Sequence, residues 1–184
     1  GEEIKGPWII EFPIDWYTGG ERKEKIQMNS LFDWSKFADP NIKYFSGSAT
    51  YKTTIKCDVQ RGERAILSLG DVKNVAEVTV NGRTYDALWR RPYKLDITDS
   101  LSPDGEASVI IKVANLWPNR IIGDERVAPE KKWVKTKYGE VASELPIFEN
   151  PKREGRVTFA SWRYWRADDA LLPSGLIGSV KLSI

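Results

Sequence analysis

The sequence VAEVTVNG, residues 75–82, decides the fold class, and it lies in the stretch 66–124 around which the rest of the chain is arranged. Its first six residues alternate apolar and polar side chains, which predicts a strand with one buried face and one wet face. Asn81 and Gly82 tolerate the positive φ angles of a tight hairpin turn. We therefore predict a strand that turns back on itself, with the return strand over 83–88.

The same alternation recurs outward from this hairpin. The sequence SATYKTTIKC, residues 48–57, alternates most cleanly of all, and such a run predicts a half-buried strand. The run 107–114 is almost continuously apolar, as expected for a strand near the middle of a sheet. We predict about eight to ten strands, including those over 8–12, 48–57, 64–69, 75–80, 83–88, 93–97, 107–114, 156–164 and 178–184.

Short strands at this spacing, with no convincing long helix and no internal repeat, favour an all-β fold, an antiparallel β-sandwich of the jelly-roll kind. One helical turn is predicted over 31–37, where apolar residues occur at near-helical spacing. The stretch 116–155 holds four prolines in charged sequence and is predicted to be irregular. Loops of that length are usually functional or disordered. The chain, residues 1–184, is predicted to form a single domain.

The composition excludes several classes of site. The sequence has no histidine, which excludes Ser-His-Asp and Cys-His catalysis and histidine-based metal sites. The single cysteine, Cys57, cannot form an internal disulfide. Lys and Arg total 28 against 26 Asp and Glu, a balance that argues against a dedicated nucleic-acid binder. The longest apolar runs are strand-sized, so no membrane span is predicted.

Tryptophan is abundant, with eight residues in 184. Aromatic faces serve hydrophobic cores and sugar-stacking surfaces alike. Trp8, Trp16 and Trp34 accompany other apolar residues in the N-terminal segment, and we predict that they belong to the core.

Five motifs occur in order along the chain: SGSATY (46–51), LGDVKNVAEVTVNG (69–82), LWRRPY (88–93), NLWPNRIIGD (115–124) and LLPSGLIGSV (171–180). Together they resemble the sugar-binding β-sandwich of glycoside hydrolases. The motifs are most similar to those of the C-terminal sandwich of α-L-rhamnosidase-like enzymes of glycoside hydrolase family 106, and the resemblance covers nearly the whole chain. Ser179 departs from the pattern, since the family usually has proline there, and the stretch 128–153 follows no family pattern.

The resemblance implies a galactose-binding-domain-like jelly roll, related to the sugar-binding domain of family 2 β-glycosidases. Such a domain is attached to a separate catalytic domain and is not itself an enzyme. The resemblance also implies that the chain is excised from a larger glycoside hydrolase acting on plant-type polysaccharide in the periplasm or outside the cell. We expect a monomer whose partners are that catalytic domain and an oligo- or polysaccharide, with no nucleic acid, no membrane and no cofactor.

No catalytic residue is predicted within the chain. Glycoside hydrolysis needs two carboxylates about 5 to 10 Å apart, one of which stays protonated. Asp168 and Asp169 are the obvious acidic pair, but neighbours in an extended chain point to opposite sides, and Asp124 with Glu125 meets the same objection. Galactose-binding-like sandwiches commonly hold a structural calcium ion. No acidic spacing here resembles an EF-hand loop, so no metal ligand is predicted.

Candidate sugar-contacting residues fall in two segments. In related family 2 domains the segment before the Ser-Gly turn reaches toward the catalytic barrel, and this likeness assigns Asp168 or Asp169 to sugar hydroxyls. The alternative is that both are solvated loop carboxylates. The cluster at the end of the strand 107–114 has an alternative structural role, in which an arginine stacked on tryptophan pins loops together. The predicted carbohydrate-binding residues are Trp117, Asn119, Arg120, Trp162, Trp165, Arg166, Asp168 and Asp169.

A basic stretch lies within 131–137, with four lysines and with Trp133 and Tyr138 interleaved. Such a stretch could hold an acidic polysaccharide such as a pectin, although a run of charge is usually a solvated loop. Three functions stay open at this point. They are an accessory domain that packs on a catalytic domain, an autonomous carbohydrate-binding module, and a purely structural spacer.

Overall fold

A computed structural model describes residues 1–14, 22–103, 105–127, 133–143 and 159–184. In these residues the chain forms mainly short strands. In chain order they are β1 (Glu2–Glu3), β2 (Trp8–Pro13), β3 (Lys23–Met28), β4 (Ser48–Lys56), β5 (Ile66–Ser68), β6 (Asp71–Lys73), β7 (Val75–Val80), β8 (Arg83–Thr84), β9 (Lys94–Asp96), β10 (Glu106–Ala114), β11 (Trp133–Thr136), β12 (Gly139–Ala142), β13 (Gly175–Gly178) and β14 (Lys181–Ser183). The helices are α1 (Pro40–Lys43) and α2 (Pro118–Val127), and 3-10 turns span Trp34–Lys36 and Thr98–Ser100.

Two larger sheets carry the architecture. The six-stranded sheet has the order β3-β2-β4-β10-β7-β8, and the four-stranded sheet has the order β1-β14-β5-β9. Two small pairs, β11-β12 and β6-β13, complete the described strands. Every pairing is antiparallel. The predicted all-β class and the antiparallel pairing are therefore confirmed.

The central strand of the six-stranded sheet is β10, as the apolar run predicts. It pairs with β4 over nine residues, from Glu106 opposite Lys56 to Ala114 opposite Ser48, and with β7 on its other side. Alternate side chains of these strands are buried. The sheet therefore turns one face to the core and leaves the other toward solvent.

One hydrophobic core lies between the two larger sheets, as in a β-sandwich. Tyr51 and Ile111 contribute from the six-stranded sheet, and Leu67 and Leu182 contribute from the four-stranded sheet. Trp8 and Trp34 are fully buried in this core, as predicted. Trp16 lies outside the described residues.

The predicted hairpin turn is confirmed in detail. Asn81 has φ 47° and Gly82 has φ 84°, the left-handed conformations of a type I′ turn. The Asn81 side chain also ties the turn to its surroundings, because its Nδ2 donates to the carbonyl of Ser100 and its Oδ1 accepts from the amide of Ser108. The return strand is shorter than predicted, since after β8 only a single bridge, Leu88 to Ala76, continues it.

Two predictions about the stretch that follows β10 are wrong. The helix α2 covers ten residues of the segment predicted to be irregular, and the hairpin β11-β12 lies in the same segment. In the sequence Pro118 suggests the end of a helix, yet it occupies the first helical position. The backbone N–H of that position makes no hydrogen bond within the helix, so the missing N–H of proline costs nothing there. Between Phe159 and Tyr164 the predicted strand 156–164 is reduced to one bridge, Trp162 to Val141.

Asp96 gives the fold a pH-dependent contribution to stability. Its carboxylate accepts hydrogen bonds from the side chain and the backbone amide of Thr98 and from Arg64, which lowers its pKa to about 2. An unfolded aspartate has a pKa of about 3.9. Because the folded-state pKa is the lower one, the stabilisation is complete above about pH 4 and is lost as the pH falls toward 2.

We expect Asp96→Asn to lower the melting temperature at pH 7 and to approach the parent chain between pH 3 and pH 2. Thermal unfolding at a series of pH values measures this difference. Asp86→Asn, at an exposed position, is the control and should track the parent at every pH. A gap between Asp96→Asn and the parent that stays constant down to pH 2 would contradict the assignment.

Candidate functional site

A network of buried and half-buried polar side chains closes one end of the six-stranded sheet. We call it the clasp, and its members are Asp33, Asn115, Asn119 and Ser174. Asn115 directly follows β10, and its Oδ1 accepts from the amide of Gly47 at 2.9 Å. Its Nδ2 donates to the carbonyl of Phe45 at 2.9 Å and to Oγ of Ser174 at 3.1 Å. One side chain thus joins the start of β4, the end of β10 and the C-terminal turn.

Asn119 lies in the first turn of α2, and its residue surface is 1% exposed. Its Nδ2 donates to the carbonyl of Leu172 at 2.7 Å and to Oγ of Ser174 at 3.0 Å, while its Oδ1 accepts from the amide of Leu172 at 2.8 Å. The amide of this side chain therefore satisfies both backbone groups of Leu172. A predicted sugar contact is buried here in a structural role.

Asp33 brings the N-terminal half of the chain into the clasp. Its Oδ1 accepts from the amide of Ser174 at 3.0 Å, and the amide of Trp34 donates to the carbonyl of Ser174 at 3.0 Å. Beneath this contact the Tyr51 hydroxyl accepts from Nε1 of Trp34 at 2.6 Å and from the amide of Leu176 at 3.0 Å. Burial raises the pKa of Tyr51 far above its usual value, so the hydroxyl stays neutral.

Arg120 is likewise buried. Its Nε lies 2.9 Å from a carboxylate oxygen of Asp124 one turn along α2. Its backbone amide donates to Oγ of Ser46, whose hydroxyl in turn donates to the carbonyl of Leu116 at 2.8 Å. The guanidinium contact with Asp124 lies within α2, so it does not test the predicted stacking of this arginine on tryptophan or its predicted pinning of loops.

Two of the predicted tryptophans are exposed. The Trp117 residue is 44% exposed and packs edge-on against Phe159, with ring centroids 4.9 Å apart. Trp162 is 53% exposed and pairs with Val141 of the β11-β12 hairpin. Gly139 lies under the Trp162 indole, so close that a Cβ there would be 2.9 Å from Nε1. Each indole therefore has a neighbour within the chain and is also partly open to solvent.

An ionic cluster holds the segment 161–169 against α2 and the β11-β12 hairpin. Arg163 lies 3.0 Å from Glu125 and 3.5 Å from Glu140, and Arg166 donates to Glu140 at 2.8 Å. The hydrogen bond from Arg166 lowers the pKa of Glu140. Sequence reasoning missed Arg163 and Glu140, because neither the hairpin nor its approach to Arg163 leaves a local pattern.

The remaining candidates lie in a turn on the surface. Asp168 is exposed, and Oδ2 of the half-buried Asp169 accepts from the amide of Arg166 at 2.7 Å. Trp165 is half-buried and packs edge-on against Tyr164 at 5.3 Å between centroids. Asp169 thus caps its own turn, which leaves Asp168 as the acidic group directed to solvent in this pair.

The basic stretch is described only in part. Lys131 and Lys132 lie outside the described residues, as does most of the stretch 128–153. Lys135 is exposed, and the ammonium of Lys137 lies 4.8 Å from the centroid of the Tyr138 ring. This arrangement resembles a solvated hairpin tip as closely as it resembles a polysaccharide contact.

No group of three or more acidic or cysteine side chains in the described part of the chain could hold a metal ion. None of the described helices is long and apolar enough to cross a membrane.

We call the clasp, Trp117, Arg120 and the segment 161–169 together the loop-bearing end of the molecule. Asn119 of the clasp and the neighbouring Arg120 are buried and bonded within the chain. Trp117, Trp162 and Asp168 are exposed. Stacking and hydrogen bonding to a sugar are chemically available to these exposed groups. Glu140, in the neighbouring ionic cluster, is paired with Arg163 and Arg166, and the hydrogen bond from Arg166 lowers its pKa, so its carboxylate is ionised.

No protein-family profile matches the sequence. A protein from Formosa agariphila that is named, provisionally, a β-glucuronidase is 37% identical over 187 residues, which cover 98% of this chain and 15% of that protein. The solved structure of a rhamnosidase from Novosphingobium sp. PP1Y is 31% identical with a TM-score of 0.73, and the match covers 99% of this chain and 15% of the rhamnosidase. A β-glucuronidase from Ruminococcus gnavus matches 62% of this chain at 19% identity and a TM-score of 0.50, a likeness of fold alone.

The chain thus spans about 15% of the length of the first two relatives. It is similar, almost end to end, to a small part of larger glycoside hydrolases. This finding agrees with the general resemblance to a glycoside hydrolase domain that the five motifs indicate.

Proposed function

We propose that this chain is a non-catalytic accessory domain of a rhamnosidase-like glycoside hydrolase, with a galactose-binding-like jelly-roll fold. It packs on a separate catalytic domain and contributes residues of its loop-bearing end to the sugar pocket. The observation that carries the proposal is the near end-to-end match to 15% of a rhamnosidase of known structure. From the family resemblance of the five motifs we propose further that the parent enzyme acts on polysaccharide in the periplasm or outside the cell.

The side chains at the loop-bearing end support this role. The ion pairs of Arg163 with Glu125 and Glu140 tie the segment that carries the exposed Trp162 and Asp168 to α2 and to the β11-β12 hairpin. Pre-organised side chains lose little conformational freedom on binding, which favours a contact with a partner domain or a sugar. Two acids near them are engaged within the chain, because the buried Asp124 is paired with Arg120 and the half-buried Glu125 is paired with Arg163.

The first prediction concerns activity of the isolated chain. We expect it to hydrolyse 4-nitrophenyl α-L-rhamnoside and 4-nitrophenyl β-D-glucuronide no faster than a protein-free control. Release of nitrophenol measures the rate. Hydrolysis well above the control that disappears in Asp168→Asn or Glu125→Gln would show that the chain is itself an enzyme and would refute the proposal.

The second measurement places the domain in its parent. In the larger protein that carries this segment, we expect the double variant Trp162→Ala with Asp168→Ala to lower kcat/KM about tenfold, equivalent to about 1.4 kcal/mol of transition-state stabilisation. Lys181→Ala, on an exposed position of β14, is the matched control and should leave kcat/KM unchanged. An unchanged kcat/KM in the double variant would show that Trp162 and Asp168 do not contribute to the sugar pocket, contrary to the proposal.

A second candidate function, an autonomous carbohydrate-binding module, is favoured by the exposure of Trp117 beside a groove. Calorimetric titration of the isolated chain with rhamnose, galactose and pectic oligosaccharides tests it. Binding tighter than about 1 mM, or about −4 kcal/mol, that is lost in Asp168→Ala or Trp165→Ala would place an independent sugar site at the loop-bearing end.

A further inference from the structure

A groove of about 470 Å³ lies on the solvent-facing side of the six-stranded sheet, and no residue of the segment 161–169 lines it. We call it the sheet groove. Glu11, Thr50 and Lys112 form one row across its floor, because Glu11 pairs with Thr50 in the register and Thr50 pairs with Lys112. Its other lining residues are Pro13, Lys23, Gly47, Ser48 and Trp117. The volume falls within the range of small-ligand sites.

The sheet groove has an excess of positive charge, since Lys23 and Lys112 line it against the single carboxylate of Glu11. Lys52 donates to Glu11 at 2.9 Å, and this hydrogen bond lowers the pKa of Glu11, with Lys25 and Lys23 adding to the effect through their charge. Glu11 is therefore an ionised and already paired carboxylate. Lys23 and Lys112 make no ion pair with any residue that the structure describes.

The position opposite Lys112 does not remove this excess. Glu77 of β7 faces Lys112 across the strands, yet the two side chains form no ion pair. An ammonium group at the exposed position 112 is thus available to an anion that enters the groove. The short, directional contacts of a carboxylate or sulfate with lysine are stronger than those between neutral groups.

An aromatic wall completes the site. Trp117 is at the same time a lining residue of the groove and partly exposed, and its ring is braced by Phe159 at 4.9 Å between centroids. An exposed indole that lines a groove offers apolar ring surface against which the C–H groups of a sugar ring can lie. The Thr50 and Ser48 hydroxyls on the floor can donate to and accept from sugar hydroxyls.

From this combination we infer that the sheet groove binds an anionic sugar, with a pyranose ring against Trp117 and its carboxylate or sulfate group held by Lys112 and Lys23. The inference rests on the proposed function only for the class of ligand, a glycan. It concerns a second site, because none of the residues 161–169 lines the groove. A neutral sugar would leave both lysines without an anionic partner, and so it should bind much more weakly.

Matched ligands and variants test the site on the isolated chain. Calorimetric titration with trigalacturonate and with its fully methyl-esterified form compares two ligands that differ in charge, and a sulfated galactose disaccharide separates sulfate from carboxylate recognition. We expect at least one anionic ligand to bind tenfold or more tightly than the neutral ester, and 0.5 M NaCl to weaken that binding. Lys112→Glu should weaken it tenfold or more. Lys181→Glu, an exposed lysine of β14 in the other sheet, should leave it unchanged.

The outcomes separate this site from the proposed function. Equal binding of the ester and the acid, or equal weakening by Lys112→Glu and Lys181→Glu, would overturn the groove assignment. Anionic binding that survives Lys112→Glu but is lost in Asp168→Ala would move the site to the loop-bearing end. The absence of binding to any of the three ligands would also overturn it, while leaving the accessory role to the hydrolysis and kcat/KM measurements.

Discussion

Gly175→Ala is expected to lower the free energy of unfolding by roughly 3 kcal/mol or more, since it combines overpacking with a strained backbone. Gly175 has φ +99°, and a Cβ built there would lie 2.3 Å from Nε1 of Trp34. The indole cannot retreat, because it is fully buried and its Nε1 donates to the Tyr51 hydroxyl at 2.6 Å. Urea denaturation followed by tryptophan fluorescence measures the change.

Gly62→Ala is the matched control for the backbone part of this effect. Gly62 has φ +94°, almost the same conformation, but no heavy atom lies within 4 Å of the Cβ position. Its substitution should therefore show only the left-handed strain, about 1 to 2 kcal/mol. If both variants lose the same free energy of unfolding, the short distance between the Gly175 Cβ position and Trp34 does not add to the cost of the substitution.

Asn119→Ala is the second substitution with a large expected effect, about 3 kcal/mol of unfolding free energy. The buried side chain accepts from the amide of Leu172 and donates to its carbonyl, so its removal leaves the amide without this partner and leaves the carbonyl with the Ser174 hydroxyl at 3.2 Å. Each buried group left without a partner costs about 1 to 3 kcal/mol. Denaturation in urea again gives the difference, and the slope of the transition shows whether the compactness of the chain has changed.

Asn41→Ala is the control for this experiment. Asn41 is also an asparagine in the first turn of a helix, but it is exposed. Its loss should change stability by no more than about 0.5 kcal/mol, as is usual at the surface. A similarly small loss in Asn119→Ala would mean that water replaces the side chain and that the clasp does not stabilise the fold.

The strands were predictable because their signal is local. In β4 every second side chain is buried, and this period can be read directly from the sequence, whereas β10 was predicted from a nearly continuous apolar run. The turn at Asn81 and Gly82 was predictable for the same reason, since each residue type reports its own backbone conformation. A proline in the sequence is compatible with the first turn of a helix and also with a loop. At Pro118 the loop was predicted, and the helix was missed.

The candidate site was predictable as a region and not as a set of roles. Trp117, Asn119 and Arg120 are close together in sequence, yet the first is exposed and the other two are buried. What separates them is their partners, Leu172, Ser174 and Ser46, which lie more than fifty residues away along the chain. A single sequence contains no record of such pairings. The ionic cluster around Arg163 depends on a hairpin that was itself unpredicted.

The five motifs acquire a physical meaning from the structure. Tyr51, Asn115, Asn119, Ser174 and Gly175 all come from them, and all take part in the clasp or in the contact beneath it. These motif residues therefore serve mainly to stabilise the fold. The likeness to glycoside hydrolases consequently says more about architecture than about the sugar that is bound.

The way in which the clasp joins distant parts of the chain bears on how the protein folds during synthesis. Asp33 is 141 residues from Ser174, and Tyr51 is 125 residues from Leu176. Contacts of such long range raise the contact order, and folding slows as the contact order rises. A ribosome must release nearly the whole segment before these bonds can close. The core around Asp33 and Tyr51 therefore stays incomplete until residues 174–176 have been synthesised.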